Sequence, residues 1–380
     1  MSTIKVNTIQ TAAGTGSLTV PAETGTVVTT ASPSLGRRNL IINGAMQVAQ
    51  RGTSFSGIAT GTYYLDRWRI GLNLDNGSVN LEQSSDAPDG FGSSLKLTTA
   101  TAETTIDGVN QVNISQRFEG QDIQSWAKGS ASAKSVTVSF WVKSSLTGTF
   151  TAELYDDDNN RHIAGTYTIN SANTWEYKTI TFAGDTSGAI VSDNGRSIDL
   201  RFWTQTSSYY SGGTLATSWA SFANANAAES SGMPALLTTT NATWQITGVQ
   251  LEVGSLATPF EHRSYGEELA LCQRYFERVG GDANYAQIGM GATRTTSQTY
   301  FNVSFKHRKR AAPSVSYASG IIVSDRYTYD QAVSGLEDVN ASRDGLHARF
   351  THTSVGTERR PHHVTSSSTG VGYMDFDSEL

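Results

Sequence analysis

Cysteine is nearly absent: Cys272 is the only one in 380 residues. No intrachain disulfide can form, a zinc site built from several cysteines is excluded, and stability has to come from packing, assembly or bound ions. Charge is also scarce, at 16% of residues, and its balance is acidic, with a formal net charge of −6. That excludes the broad basic field on which general nucleic-acid binding depends, and it disfavours anionic membrane surfaces. No apolar run is long enough to cross a bilayer, and the opening Met1–Asn7 lacks the apolar core of a signal peptide, so neither membrane insertion nor export by an N-terminal leader is expected. No Gly-x-Ser-x-Gly elbow, Walker loop, dinucleotide glycine fingerprint or His-Glu-x-x-His motif occurs, and the chain is expected not to be an enzyme. A repeat of roughly 20–50 residues is missing too, which argues against a long parallel β-helix.

What is abundant points to strands. Beside 37% apolar residues, Thr, Ser, Gly, Asn and Ala dominate, a mixture suited to short strands joined by turns. Val136, Val138, Phe140 and Val142 share one face of a strand, while Thr137, Ser139 and Trp141 share the other. Similar runs at Thr149–Tyr155, Trp175–Phe182 and Ile198–Trp203 are bounded by turn residues, so residues 37–262 read as a β-sandwich. Along Trp244–Val253 the apolar parity flips at Thr247-Gly248, and a β-bulge at the glycine would restore a single buried face.

Residues 263–280 are expected to form a helical neck. Ser264 and Glu267 have capping-box spacing, Leu269, Cys272 and Phe276 make an apolar stripe, and Gly280 can close the end. Residues 281–380, with alternation at Tyr300–Phe305 and Tyr327–Tyr329, read as a smaller, separate β domain. Residues 1–36 cannot enclose a core and end in the turn-prone Ser32-Pro33-Ser34-Leu35-Gly36. The expected fold class is therefore all-β, with one short connecting helix.

Three stretches carry a resemblance. The first is Ser2–Gln10 with Gly14 and the Thr/Val-rich tract behind it. The second is Arg38–Gly52 followed by Tyr64-Leu65-Asp66-Arg67-Trp68. The third joins Ile246–Gly254 to Thr258-Pro259-Phe260-Glu261 and Leu271–Phe276. In order and spacing, over roughly residues 1–280, the chain resembles bacteriophage tail-fibre and related virion proteins. The resemblance implies a carbohydrate-binding-like jelly roll at residues 37–262, a virion-attachment segment at 1–36 using Ile4, Val6 and Ile9, and a C-terminal tip at 281–380. It also implies a homotrimer with other tail or virion proteins as partners and assembly onto the virion tail in the host cytoplasm; it does not imply a sugar, and host cell-surface polysaccharide is expected as a partner on the fibre reading alone.

Several residue groups are candidates for chemistry. Asp156-Asp157-Asp158-Asn159-Asn160 offers hard oxygen ligands for a structural calcium, but it lacks the glycine and distal glutamate of an EF-hand, which favours a solvated hairpin turn. Trp203, Tyr209, Tyr210 and Trp219 would make a sugar-stacking platform, or else simply core. Lys306, Arg308, Lys309 and Arg310, around His307, form the strongest basic run, suited to anionic receptor polysaccharide or to a solvated strand end. His347, His352, His362 and His363 lack a metal-binding repeat, and Glu261-His262-Arg263 is placed for pairing or capping. The leading expectation is a tail fibre that contacts host glycan. A capsid decoration or tail-assembly protein without receptor binding, and a polysaccharide depolymerase, are the alternatives.

Overall fold

The computed structural model describes residues 8–10, 17–19, 37–325, 330–353 and 359–380. The chain divides into two compact units, Met1–Arg38 and Asn39–Leu380. In the first, β1 (Thr8–Gln10) pairs antiparallel with β2 (Ser17–Thr19), which puts Ile9 opposite Leu18. Ile4, Val6 and the Tyr327–Tyr329 alternation lie outside the described residues.

The second unit begins with the sandwich. Its strands are β3 (Ser54–Phe55), β4 (Arg69–Asn73), β5 (Ser78–Ser84), β6 (Ser94–Thr101), β7 (Gln111–Glu119), β8 (Val136–Ser144), β9 (Gly148–Asp156), β10 (Arg161–Ile169), β11 (Glu176–Phe182), β12 (Arg196–Thr206), β13 (Ala220–Ser221) and β14 (Thr243–Val253). A first sheet runs β13-β10-β9-β12-β7-β4 and a second runs β11-β8-β14-β6-β5-β3. The chain changes sheet between β3 and β4, β4 and β5, β6 and β7, β7 and β8, β8 and β9, β10 and β11, β11 and β12, and β13 and β14. This winding is that of a jelly roll.

Alternation explains the core. Val136, Val138, Phe140 and Val142 are all buried, and Phe140 packs 5.0 Å from both Tyr167 and Phe202 across the gap between the sheets. Each such side chain contributes about 1.5–3 kcal/mol by leaving water. The bulge falls where the parity flip puts it: the β14–β8 register shifts between Thr247 and Gln250, with Gly248 at φ +59°. Trp244, Ile246, Val249 and Leu251 are consequently all buried. The freed Val249 amide donates to the Gly44 carbonyl at 3.0 Å.

After a one-turn helix, α1 (Ser208–Ser211), the chain reaches α2 (Tyr265–Gln273), opened by a complete Ser264/Glu267 capping box. Here the expected neck is corrected. The helix stops at Gln273, and Phe276–Gly280 is a strand, β15. Residues Tyr275-Phe276-Glu277-Arg278-Val279 are rich in strand formers, and tertiary partners outcompete a further helical turn. Arg274 and Tyr275 both reach the buried Glu119 at 2.6 Å, while Phe276 pairs opposite Asp377. Cys272 and Phe276 are buried and Leu269 is half-buried, but Phe276 is not on the helix.

The remaining strands are β16 (Gln287–Thr295), β17 (Gln298–Ser304), β18 (Ser314–Tyr317), β19 (Ile321–Ser324), β20 (Asp330–Ala341), β21 (Gly345–His352), β22 (Pro361–Ser366) and β23 (Tyr373–Asp377). They form a closed barrel, β16-β17-β21-β20-β19-β22, and a three-stranded sheet, β15-β23-β18. This region has its own core, where the Phe301 and Phe350 rings stack at 4.7 Å. Buried charge pairs tie it to the sandwich within one compact unit: Arg274 with Glu119, and Arg67 with Glu379. Such pairs add little net stability against their desolvation, but removing one partner is costly, so they fix how the two parts meet.

Candidate functional site

The outer face of the first sheet holds part of the aromatic group expected from sequence, and packing accounts for much of it. Trp203 is only 3% exposed; it packs on Ala227, Ala228 and Tyr210, and its indole N–H donates to Glu153 at 3.0 Å. Tyr210 is half-buried and accepts from Gln111 at 3.0 Å, leaving Tyr209, edge-on to it at 4.8 Å, as the exposed member. Trp219 does not join them. It packs against the main sandwich core, donates to the Ala183 carbonyl at 2.7 Å and lies beneath the Lys128 ammonium.

The acidic loop splays its three carboxylates. Asp157 pairs with Arg196 at 2.8 Å, and Asp158 accepts from Ser197 at 2.6 Å and from the Val191 amide. Asp156 turns inward to Lys128, whose ammonium lies 2.5 Å from it, 3.1 Å from Asp185, and 3.1 and 2.9 Å from the Ser187 and Gly188 carbonyls. A lysine thus stands among four oxygens at the Asp156 end of the loop. Burial pushes the Asp185 carboxyl up, but donation from Arg161, the Ser187 amide and Lys128 outweighs it and holds the group below the ordinary carboxylate range. Among the described residues no group of three His, Cys, Asp or Glu side chains converges as a metal site. His347 and His352 bond Asn302 and Thr299 respectively, and His362 bonds the Arg360 carbonyl.

The basic run divides in two. Lys306 and Arg308 are exposed, with Arg308 3.5 Å from Asp344. Lys309 is fully buried against Glu277 at 2.6 Å, and Arg310 is spent on the Ser378, Asn194 and Glu379 carbonyls. The last two are structural residues, not surface contacts, because β15 and the chain end close over them.

A continuous aromatic surface lies elsewhere, on the outer face of the second sheet. Trp141 faces out because β8 alternates, and Tyr177 stands opposite it on β11, their rings 5.4 Å apart and Tyr177 45% exposed. On the other side the bulge glycine lets two rings approach: a Cβ at Gly248 would lie 2.6 Å from the Phe91 ring and 3.1 Å from Trp141. Phe91 in turn meets Phe260 at 5.0 Å and His262 at 5.3 Å. Along one edge Trp175 lies under the Lys143 ammonium, 5.1 Å away, and donates its indole N–H to Asp86 at 3.1 Å. Asp86 also receives Lys143 and Gln245. Its slight burial pushes the carboxyl up, but these donors prevail and hold it below the ordinary range. The result is a row of ring faces bordered by hydrogen-bonding groups, a surface chemistry that meets ligands with one apolar and one polar side. The sequence held one signal of it: Trp141 sits on the face of β8 away from the core.

No family model matches the chain, and no curated protein is similar to it in sequence. Among solved structures, similarity is found to the enzymatically active domain of tailspike protein 4 of bacteriophage CBA120, at 12% identity and TM-score 0.32 over 57% of this chain and 21% of that one. The chain thus spans about a fifth of that tailspike. A family 11 carbohydrate-binding module from Clostridium thermocellum, in complex with a β-1,3-1,4-mixed-linked tetrasaccharide, is similar at 12% identity and TM-score 0.28 over 54% of this chain and 98% of that one. A xylan-binding domain from Paenibacillus barcinonensis is similar at 13% identity and TM-score 0.25, over 54% and 94%. Likenesses this distant carry no function across.

Proposed function

We propose that this chain is a non-catalytic virion protein, a homotrimeric bacteriophage tail fibre whose N-terminal segment attaches to the particle and whose jelly roll contacts host-surface polysaccharide. The observation that carries the glycan contact is the outward row Tyr177, Trp141, Phe91 and Phe260 on the second sheet, bordered by Lys143, Asp86 and Gln245. Large rings on a sheet face are ordinarily covered, and a row of them left partly exposed marks a contact surface. The virion assignment is supported by the sequence resemblance of residues 1–280. Weak contacts repeated over three chains give strong adsorption through effective concentration, so a deep pocket is not required.

The test is binding of the full chain to host cells and to polysaccharide extracted from them, with sedimentation to give the assembly state. The expected result is a trimer that is retained by the polysaccharide and releases no reducing sugar, with Trp141→Ala weakening retention at least tenfold while the melting curve is unchanged. A monomer, release of reducing sugar, or full retention by Trp141→Ala would each overturn the corresponding part.

A further inference from the structure

The outer face of the first sheet carries a cation that the described residues leave unneutralised. Cross-strand register sets Arg69, Ser115, Arg201 and Glu153 in one row over β4, β7, β12 and β9, with Arg117, Asp199 and Tyr155 in the next. Arg196 pairs with Asp157 and Asp199, and Arg201 with Glu153 and Asp199. Arg117 lies 3.6 Å from Asp199 and also donates to the Leu380 backbone oxygen at 2.5 Å. Among the described residues the Arg69 guanidinium makes no ion pair or hydrogen bond, and its Nε is buried without a partner. Directly opposite, the Ser115 hydroxyl is also unpartnered although the residue is 1% exposed.

Two glycines shape the ground beside this cation. A Cβ at Gly61 would stand 3.0 Å from Arg69 Nη2, and one at Gly71 would stand 2.5 Å from Asn113 Nδ2, so bare backbone forms the bed on which both side chains lie. From there a polar track runs on: Asn113 donates to Gln111 at 3.1 Å, Gln111 to the Tyr210 hydroxyl at 3.0 Å, and Tyr209 follows edge-on.

We propose that this track is a second saccharide site, selective for acidic sugars, in which Arg69 receives a uronic-acid carboxylate while Gln111, held from beneath by the buried Asn113, and Tyr210 meet ring hydroxyls. The inference rests on the glycan reading above and extends it to the opposite sheet. A planar guanidinium takes a carboxylate through two parallel hydrogen bonds. Burial, with Arg117 alongside, pulls Arg69 below the usual guanidinium range. The free protein therefore bears a desolvation and repulsion cost that an anionic ligand relieves.

The experiment titrates the full chain with uronic-acid oligosaccharides and with the same oligosaccharides after carboxyl reduction. Wild type should bind the acidic forms about tenfold tighter or more, with the preference falling as salt rises. Arg69→Gln should abolish that preference and melt no lower than wild type, since it removes an unpaired, partly buried charge. Trp141→Ala should leave the preference intact. Equal binding of acidic and reduced forms, or a preference that survives Arg69→Gln, overturns the proposal. So does an Arg69→Gln variant that melts well below wild type, which would make Arg69 a packing element. If host polysaccharide is retained through Trp141 but no acidic oligosaccharide binds, this site is refuted and the aromatic row stands. If wild type retains no glycan at all, both readings are refuted.

Discussion

Substituting Lys128 tests how the acidic loop is held together. Its side chain is 2% exposed, and those of Asp156 and Asp185 are 0% and 4% exposed. Lys128→Ala leaves the enclosed Asp156 carboxylate and two carbonyls facing a gap with no cation, while Asp185 keeps only its pairing with Arg161. Removing one partner of a buried pair costs about 3–5 kcal/mol, which for a unit of this size lowers the melting temperature on the order of 10 °C. The same four oxygens are hard ligands, and water can supply further ones, so calcium should bind the alanine variant and restore part of the loss in proportion to the logarithm of its concentration. Wild type, whose ammonium already fills the position, should melt identically in calcium and in chelator. The assay is thermal unfolding of both proteins across a calcium series. A Lys128→Ala variant that melts with wild type would show that the ammonium neutralises nothing of consequence. Calcium stabilisation of wild type would show that the loop holds a metal beside the lysine.

Four further outcomes follow from the same reasoning. Gly248→Ala forces a side chain into φ +59° and against the Phe91 ring, so stability should fall by about 1–3 kcal/mol and glycan retention should fall with it, read by melting and by binding. Burial raises the Glu119 and Asp199 carboxyls, but Arg274 and Tyr275 at the first, and Arg201 and Arg196 at the second, outweigh it and leave both depressed. The stability they bring is therefore present above the unfolded value near pH 4 and is lost as pH falls through their folded values, so circular dichroism should show acid unfolding that Glu119→Gln makes less steep. At the other limit, burial pushes the Tyr63 phenol up to about 12. Its contribution holds below the unfolded value near 10 and fades as pH rises through 12, so Tyr63→Phe should flatten the alkaline limb of a pH–stability profile. Finally, Lys309→Met, which strands the buried Glu277, should destabilise by about 3–5 kcal/mol, whereas Arg308→Met should change neither stability nor folding in denaturant titrations.

Local pattern reached as far as local physics decides. The alternation in β8, the bulge at Gly248 and the Ser264/Glu267 capping box depend on neighbours within a few residues, and the structure has all three. Where a partner lies far along the chain, the reading failed. The length of α2 is set by Glu119 and β23, which lie about a hundred and fifty residues before Arg274 and about a hundred after it. Trp203 and Trp141 look alike in sequence, each on the outer side of a strand. Residues 222–233 cover the first, whereas the second stays partly exposed beside Tyr177. Asp156 reads as a metal ligand until Lys128, 28 residues earlier, is brought to it. Lys309 and Arg310 read as surface charge until the closing strands bury the first and draw the second onto backbone carbonyls.

The ion pair between Arg67 and Glu379 joins groups 312 positions apart, and Arg67 also lies 3.5 Å over the Tyr275 ring. During synthesis the guanidinium must wait for almost the whole polypeptide before its counter-ion exists. A product broken off shortly before residue 379 would keep an enclosed, unanswered positive charge in the turn that leads into β4, the edge strand of its first sheet. Such a fragment should be slow to close and quick to be degraded.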